Sequence, residues 1–210
     1  MRNLKRMAAF LTALILCLGL PVTAFAAETD TGFSDVDAGD WYAEAAVYCR
    51  DNGLMNGTTA TTFSPNATMT RAQLCAVLYR MAGSPEMTGR DAFTDTPDGA
   101  WYEDAILWAV RNHIMSGYTA STFGPHDPIT REQLVAILWR YAGSPAAEAG
   151  FLSRFADAAS VSGYAADAMR WAVSTGLIGG MGDGTLAPRG NATRAQVATI
   201  LMRFVKNLTK

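Results

Sequence analysis

One six-residue block occurs three times: Met69-Thr70-Arg71-Ala72-Gln73-Leu74, Ile129-Thr130-Arg131-Glu132-Gln133-Leu134 and Ala192-Thr193-Arg194-Ala195-Gln196-Val197. The spacings are 60 and 63 residues, so each copy holds the same place in a long repeat. A unit of this length buries too little surface to be secure alone, so stacked units whose apolar faces are completed by neighbours are expected. Within the block, Thr followed three residues later by Gln has the pattern of a capping box. The apolar residue before Thr and the one four after it form a hydrophobic staple, weakest in the third copy, where Ala192 is small. Three helix starts in equivalent surroundings are therefore predicted.

Capping does not explain the arginine. A cation in the first helical turn opposes the positive end of the helix dipole by roughly 0.3–1 kcal/mol. Arg71, Arg131 and Arg194 all sit there, whereas Arg80, Arg140 and Arg203 fall near the far ends of the same helices, where the dipole favours them and no function is required. A mis-signed charge beside unpaired amide donors suggests a seat for an anion. The alternative is that each arginine pairs with a nearby Asp or lays its stem across a neighbouring repeat. The two readings can coexist.

The repeats run over residues 33–82, 93–142 and 155–205 and read as helix, loop, helix. The first helix carries Trp41, Ala45, Tyr48 and Cys49, then Trp101, Ala105, Trp108 and Ala109, then Tyr164, Ala168, Trp171 and Ala172. Such a stripe predicts core positions. For the leading aromatic the other option is a groove edge, where its face could stack on a sugar ring. Gly53, His113 and Gly176 align where a left-handed cap should end this helix. A loop follows with Phe63-Ser64-Pro65, Phe123-Gly124-Pro125 or Leu186-Ala187-Pro188, in which Phe or Leu is expected to plug the gap between helices. The second helix should bury Leu74, Val77, Leu78 and Met81 and their counterparts. Gly83-Ser84-Pro85 and Gly143-Ser144-Pro145 punctuate the junctions.

Residues 1–26 are read as a cleaved secretory signal. Arg2, Lys5 and Arg6 precede an apolar run, and Ala24-Phe25-Ala26 fits the cleavage rule. The competing reading is an uncleaved anchor, because the apolar stretch approaches the ~20 residues that span a bilayer. Cleavage removes three of the 17 basic residues and none of the 19 acidic ones, taking the formal charge from −2 to −5. No basic block remains, which argues against nucleic acid or acidic lipid as partner and, after cleavage, against membrane attachment. An anionic partner would have to be held by individually placed arginines.

Catalytic and metal readings find little support. His113 and His126 have no recurring partner, so no nucleophile–His–acid site is expected. Asp35-Val36-Asp37 and Asp95-Thr96-Pro97-Asp98 lack the spacing and closing Glu of a calcium loop. Asp35, Asp95 and Asp157 read as turn and cap residues. Cys49 and Cys75 replace small core residues of the sister repeats, which predicts two buried thiols, with a disulfide as the alternative in an exported chain.

The recurrence of Phe-x-Asp, a Trp or Tyr eight or nine residues on, then Gly, Phe or Leu, Pro and Thr-Arg-x-Gln resembles the S-layer homology repeat. Departures are Gln in place of the usual final Glu of the Thr-Arg block, and Tyr164 for Trp with one extra residue before it. The resemblance implies a mainly α fold in which three helix-loop-helix repeats pack as a pseudo-threefold bundle. It also implies inter-repeat grooves that bind a secondary cell-wall polysaccharide, often one bearing a pyruvate ketal. Carried over, the binding residues are Arg71, Arg131 and Arg194 with Gln73, Gln133 and Gln196, joined by Trp41 and Trp101, while the groove using Tyr164 ranks lowest. The implied role is non-catalytic anchoring, without cofactor or metal, at the surface of a bacterium with thick peptidoglycan. The alternative is a structural part of the surface layer that contacts other surface-layer proteins and binds no glycan.

Overall fold

The computed structural model describes residues 30–147 and 150–208. The expected signal segment, residues 1–26, lies outside the described residues. Six α-helices are present among the described residues: α1 (Ala43–Asp51), α2 (Arg71–Met81), α3 (Glu103–Arg111), α4 (Arg131–Tyr141), α5 (Ala166–Ser174) and α6 (Arg194–Leu208). Three short 3-10 turns, at Phe151–Arg154, Ala158–Ser160 and Gly163–Ala165, lead into α5. The chain is thus mainly α, and among the described residues extended pairing is confined to three isolated bridges. No described helix is long and apolar enough to cross a membrane.

The capping boxes form as expected. The Gln73 and Gln133 amides donate to the hydroxyls of Thr70 and Thr130 at 3.3 Å each, and each Gln side-chain oxygen accepts from the Thr amide in return. Thr193 and Gln196 repeat the exchange. At the far end of the first helices, Gly53, His113 and Gly176 take the left-handed conformation (φ 64°, 56° and 71°), ending each helix where the sequence placed the stop.

The repeats do not close on themselves. Helix α2 packs on α3, α4 on α5 and α6 on α1, so every two-helix layer joins the second helix of one repeat to the first helix of the next. The third repeat returns to the first, which closes a pseudo-threefold bundle. Its axis is marked by a ring of backbone bonds: Ile129 N–H to Met69 O (2.8 Å), Ala192 N–H to Ile129 O (2.8 Å) and Met69 N–H to Ala192 O (3.1 Å). The staple residues therefore do more than brace their own helices. Met69, Ile129 and Ala192 are all buried, and the small Ala192 meets its partners at the axis. Phe63, Phe123 and Leu186 are fully buried plugs within one continuous core.

Cys49 and Cys75 are free and buried. Cys49 Sγ lies 3.5 Å from Ala198 O on α6, whereas Cys75 Sγ lies 3.1 Å from Met115 Sδ. They serve different layers of the bundle, so the disulfide alternative does not form. Burial pushes both thiols up to about 12, which leaves them protonated packing groups.

Candidate functional site

At each junction an arginine from one repeat is embedded in the loop of the next. Arg71 Nε donates to Phe123 O (3.0 Å) and Nη2 to Ser116 O (2.7 Å). Arg194 Nε donates to Phe63 O (2.8 Å) and Nη2 to Asn56 O (2.7 Å), while Arg131 Nε donates to Leu186 O (2.8 Å). All three residues are buried, with 4%, 5% and 7% of their surface exposed for Arg71, Arg131 and Arg194. Among the described residues none of these guanidiniums has a carboxylate within ion-pair distance. Burial pulls the Arg131 and Arg194 pKa values down, opposed by the more distant charges of Asp157 and Asp35 respectively. The stem-across-the-repeat reading is therefore what the structure contains, with carbonyls rather than acids as partners.

The helix starts themselves are closed to ligands, which corrects the expectation of open amide donors. Arg71 N–H donates to Asp127 O (3.0 Å) and Ala72 N–H to Pro125 O (3.0 Å); Arg131 and Glu132 donate to Gly190 O and Pro188 O, and Arg194 and Ala195 to Ala67 O and Pro65 O. The next amide in each helix is held by the capping Thr. Every donor that a helix normally leaves unpaired in its first turn is consumed by the capping box or the adjacent repeat. The cation tolerates the dipole because the neighbouring loop presents a cluster of carbonyl oxygens to the same spot.

The recurring Asp completes this joint from the other side. Asp95 accepts from Phe123 N–H (2.8 Å) and Gly124 N–H (2.7 Å). Asp35 does the same for Phe63 and Ser64, and Asp157 for Leu186 and Ala187. These acids are clamps on a loop some 28–30 residues away rather than local turn residues. They also steady the left-handed Ser64 and Ala187 (φ 56° and 48°), a conformation that non-glycine residues seldom take. Desolvation pushes the Asp95 carboxyl up, but its backbone amide bonds together with the charge of Arg71 outweigh it and hold its pKa below the usual value. Each plug residue thus has its N–H on an Asp of its own repeat and its C=O on the arginine of the preceding one.

Two clefts open beside these joints. One, of about 270 Å³, is lined by Arg71 from the first repeat, Ser116, Tyr118, Gln133 and Arg140 from the second and Tyr164 from the third. The other, of about 600 Å³, is lined by Arg131, by Gly179, Met181, Gln196 and Arg203, and by Trp41. The two sets match position for position, so each cleft draws on all three repeats. At the third junction Arg194 reaches Asn56 O and Arg80 Nη2 reaches Leu54 O (2.7 Å), with Gln73 and Trp101 in the corresponding sequence positions.

The leading aromatics are not core. Trp41, Trp101 and Tyr164 expose 66%, 67% and 53% of their surface, because α1, α3 and α5 begin two residues after them. The remaining stripe positions do face inward, with Ala45, Ala105, Ala168 and Trp108 buried. Trp41 and Trp101 rest edge-on against Tyr42 and Tyr102, with ring centroids 5.2 and 5.1 Å apart. Arg140 and Arg203, assigned no function from sequence, line the two clefts. Their helical spacing held the signal: Gln133, Ile137 and Arg140 fall at i, i+4 and i+7, as do Gln196, Ile200 and Arg203. Tyr118, which lies over Arg71 at 4.4 Å from the ring centroid, has no counterpart aromatic in the sister repeats and could not be found from the repeat pattern.

The S-layer homology domain profile matches residues 32–75, 92–135 and 154–198. The chain is 32% identical over 211 residues to the surface-layer 125 kDa protein of Lysinibacillus sphaericus, covering 97% of this chain and 17% of that protein. It is 31% identical over 177 residues to an amylopullulanase of Thermoanaerobacterium thermosulfurigenes, covering 83% of this chain and 9% of the enzyme. It is 34% identical over 113 residues to a cellulosome-anchoring protein of Acetivibrio thermocellus, covering 51% of this chain and 25% of that protein. The chain therefore spans a quarter or less of the length of these relatives.

Proposed function

The chain belongs to the S-layer homology family, and we propose that it is a non-catalytic anchoring module that binds an anionic secondary cell-wall polysaccharide through the clefts between its repeats. The observation that carries this reading is the pairing of two arginines with an exposed aromatic in each cleft, Arg131 and Arg203 with Trp41 in the larger one. A guanidinium has five N–H donors in a fixed fork, and Arg131 spends one of them on Leu186 O. The others are available to a carboxylate at the cleft wall, where the partly desolvated charge acts through a lower dielectric than in water. The aromatic face supplies apolar contact to a sugar ring, and Gln196 supplies an amide at the same wall. A pyruvate ketal, which puts one small carboxylate on a sugar, has the charge and size this arrangement suits.

Relatives named as a surface-layer protein and a cellulosome-anchoring protein support placement at the cell surface. The amylopullulanase aligns over 9% of its own length, so the shared region is a small part of that enzyme. The test is co-sedimentation of the purified chain, residues 27–210, with wall sacculi. Binding is expected to intact walls, to fall at least tenfold after mild acid removes ketal groups, and to vanish once the polysaccharide is stripped. Undiminished binding to stripped walls would replace this reading with protein-mediated attachment to the surface layer.

A further inference from the structure

The two clefts are not chemically equal, and the difference traces to Glu132. This residue stands where the sister blocks have Ala72 and Ala195, and it is buried, with 4% of its surface exposed. Its carboxylate accepts from Ser162 N–H (2.9 Å), from Ser162 Oγ–H (2.7 Å) and from Tyr164 Oη–H (3.2 Å). Trp41 and Trp101 are braced by the following Tyr42 and Tyr102, but Tyr164 is followed by Ala165 and lacks that brace. Glu132 takes over the role through the phenol hydroxyl, which an indole could not offer in the same way.

The neighbouring arginines differ in step. Arg71 is held by two carbonyls and covered by the Tyr118 and Phe123 rings, whose centroids lie 4.4 and 4.6 Å away, whereas Arg131 makes a single carbonyl bond. The Arg71 cleft also has less than half the volume of the other.

We propose that Glu132 is a positioning residue that fixes Tyr164 as one wall of the Arg71–Arg140 cleft and makes it a subsite reading a sugar hydroxyl, while the Arg131–Arg203 cleft is the carboxylate-selective one. With its own proton directed at Glu132, the Tyr164 oxygen presents its lone pairs to the cleft and accepts from a ligand O–H. Arg71 already has two N–H donors on carbonyls and two rings over its face, so a ketal carboxylate gains less there than in the larger cleft, where Arg131 spends a single donor. Burial, and then the charge and hydrogen bond of Glu132, push the Tyr164 phenol up to about 12, so it stays a neutral hydroxyl at any working pH.

This inference rests on the wall-glycan reading, and calorimetry with two probes separates them: a methyl hexoside carrying a 4,6-pyruvate ketal and its unketalised parent. In a Trp41→Ala/Trp101→Ala background, which keeps only the Tyr164 cleft furnished with its aromatic, the two probes should bind within about threefold of each other. In a Tyr164→Ala chain the ketal should be preferred by at least about tenfold, as expected for one charge-assisted pair. Added to the double-Trp background, Glu132→Ala should weaken both probes by about tenfold, the cost of losing the Tyr164 anchor. Glu132→Gln, whose carbonyl still accepts from Ser162 Oγ–H and Tyr164 Oη–H, should restore binding of the parent sugar. In a Tyr164→Phe background Glu132→Ala should have no further effect. Equal behaviour of the Ala and Gln variants, a Glu132→Ala effect that persists without the Tyr164 hydroxyl, or equal ketal preference in both clefts would overturn the inference alone. Failure of the unaltered chain to bind either probe would overturn it together with the wall-glycan reading.

Discussion

Replacing Arg71 by Ala should lower the unfolding free energy by about 3 kcal/mol, an effect at the upper end for single substitutions. The side chain is buried, and its loss leaves Phe123 O and Ser116 O without their donors and removes the cation from between two ring faces. An orphaned buried acceptor costs about 1–3 kcal/mol, and Phe123 O becomes one; Ser116 O, on an exposed residue, adds less, and the lost packing between the rings adds the rest. For a chain of this size the midpoint of thermal unfolding should fall by about 6–12 °C, at 2–4 °C per kcal/mol. Because α2 packs on α3 of the next repeat and the backbone ring links all three, the loss should appear as one cooperative transition shifted downward. Arg71→Lys should recover little, since an ammonium cannot reach two carbonyls with the geometry of a planar fork. Arg131→Ala, which frees one carbonyl, should cost less, about 1–2 kcal/mol. A chain with Arg71→Ala that melts at the unaltered temperature would show that the joint is held by something else. Wall binding lost by an arginine variant must accordingly be read against its stability.

The combined change Trp41→Ala/Trp101→Ala separates binding from folding. Both indoles are about two-thirds exposed, so removing them should change stability by no more than about 0.5 kcal/mol. Association with wall sacculi should nevertheless fall by about 100-fold. Exposed aromatics that anchor a ligand carry a large share of its binding energy. Repeat junctions that engage one polymer together also multiply their affinities through effective concentration, so disabling two of them costs more than either alone. The melting curve and the sedimentation assay should be run on the same preparation: unchanged melting with lost binding is the expected pair. Unchanged binding would remove the aromatics from the site.

The residues that make helices and core were readable from one sequence because their rules are local. Thr70 with Gln73, Gly53 at a left-handed stop, and Leu74, Val77 and Leu78 on one face all obey spacings of three or four residues, and each behaves as its spacing implies. What proved illegible was decided between repeats. Asp95 looks like a turn residue until its partners appear 28 and 29 residues downstream. Arg71 looks like an anion-binding residue at an open helix start until the loop of the next repeat is found to occupy that start. The stripe leaves Trp41 either core or groove edge, and the exposed position follows because the helix begins two residues after it. Arg140 shares a cleft with Arg71 although 69 residues separate them, and only closure of the ring brings them together. A periodic sequence shows what each unit is, and says less about which surfaces the units offer one another.

The most direct test is a nitrogen-resolved NMR titration of the intact chain with a carboxylated fragment of the wall polysaccharide. Trp41, Arg131 and Arg203 line the larger cleft, so their indole and guanidinium N–H signals report on its occupancy, whereas Trp139 is not among its lining residues and its indole is committed to Pro145 O at 2.8 Å. The signals of Trp41, Arg131 and Arg203 should move together and saturate at one concentration, with Trp139 unmoved. Saturable binding that leaves those three signals where they began would contradict the placement of the glycan between the repeats.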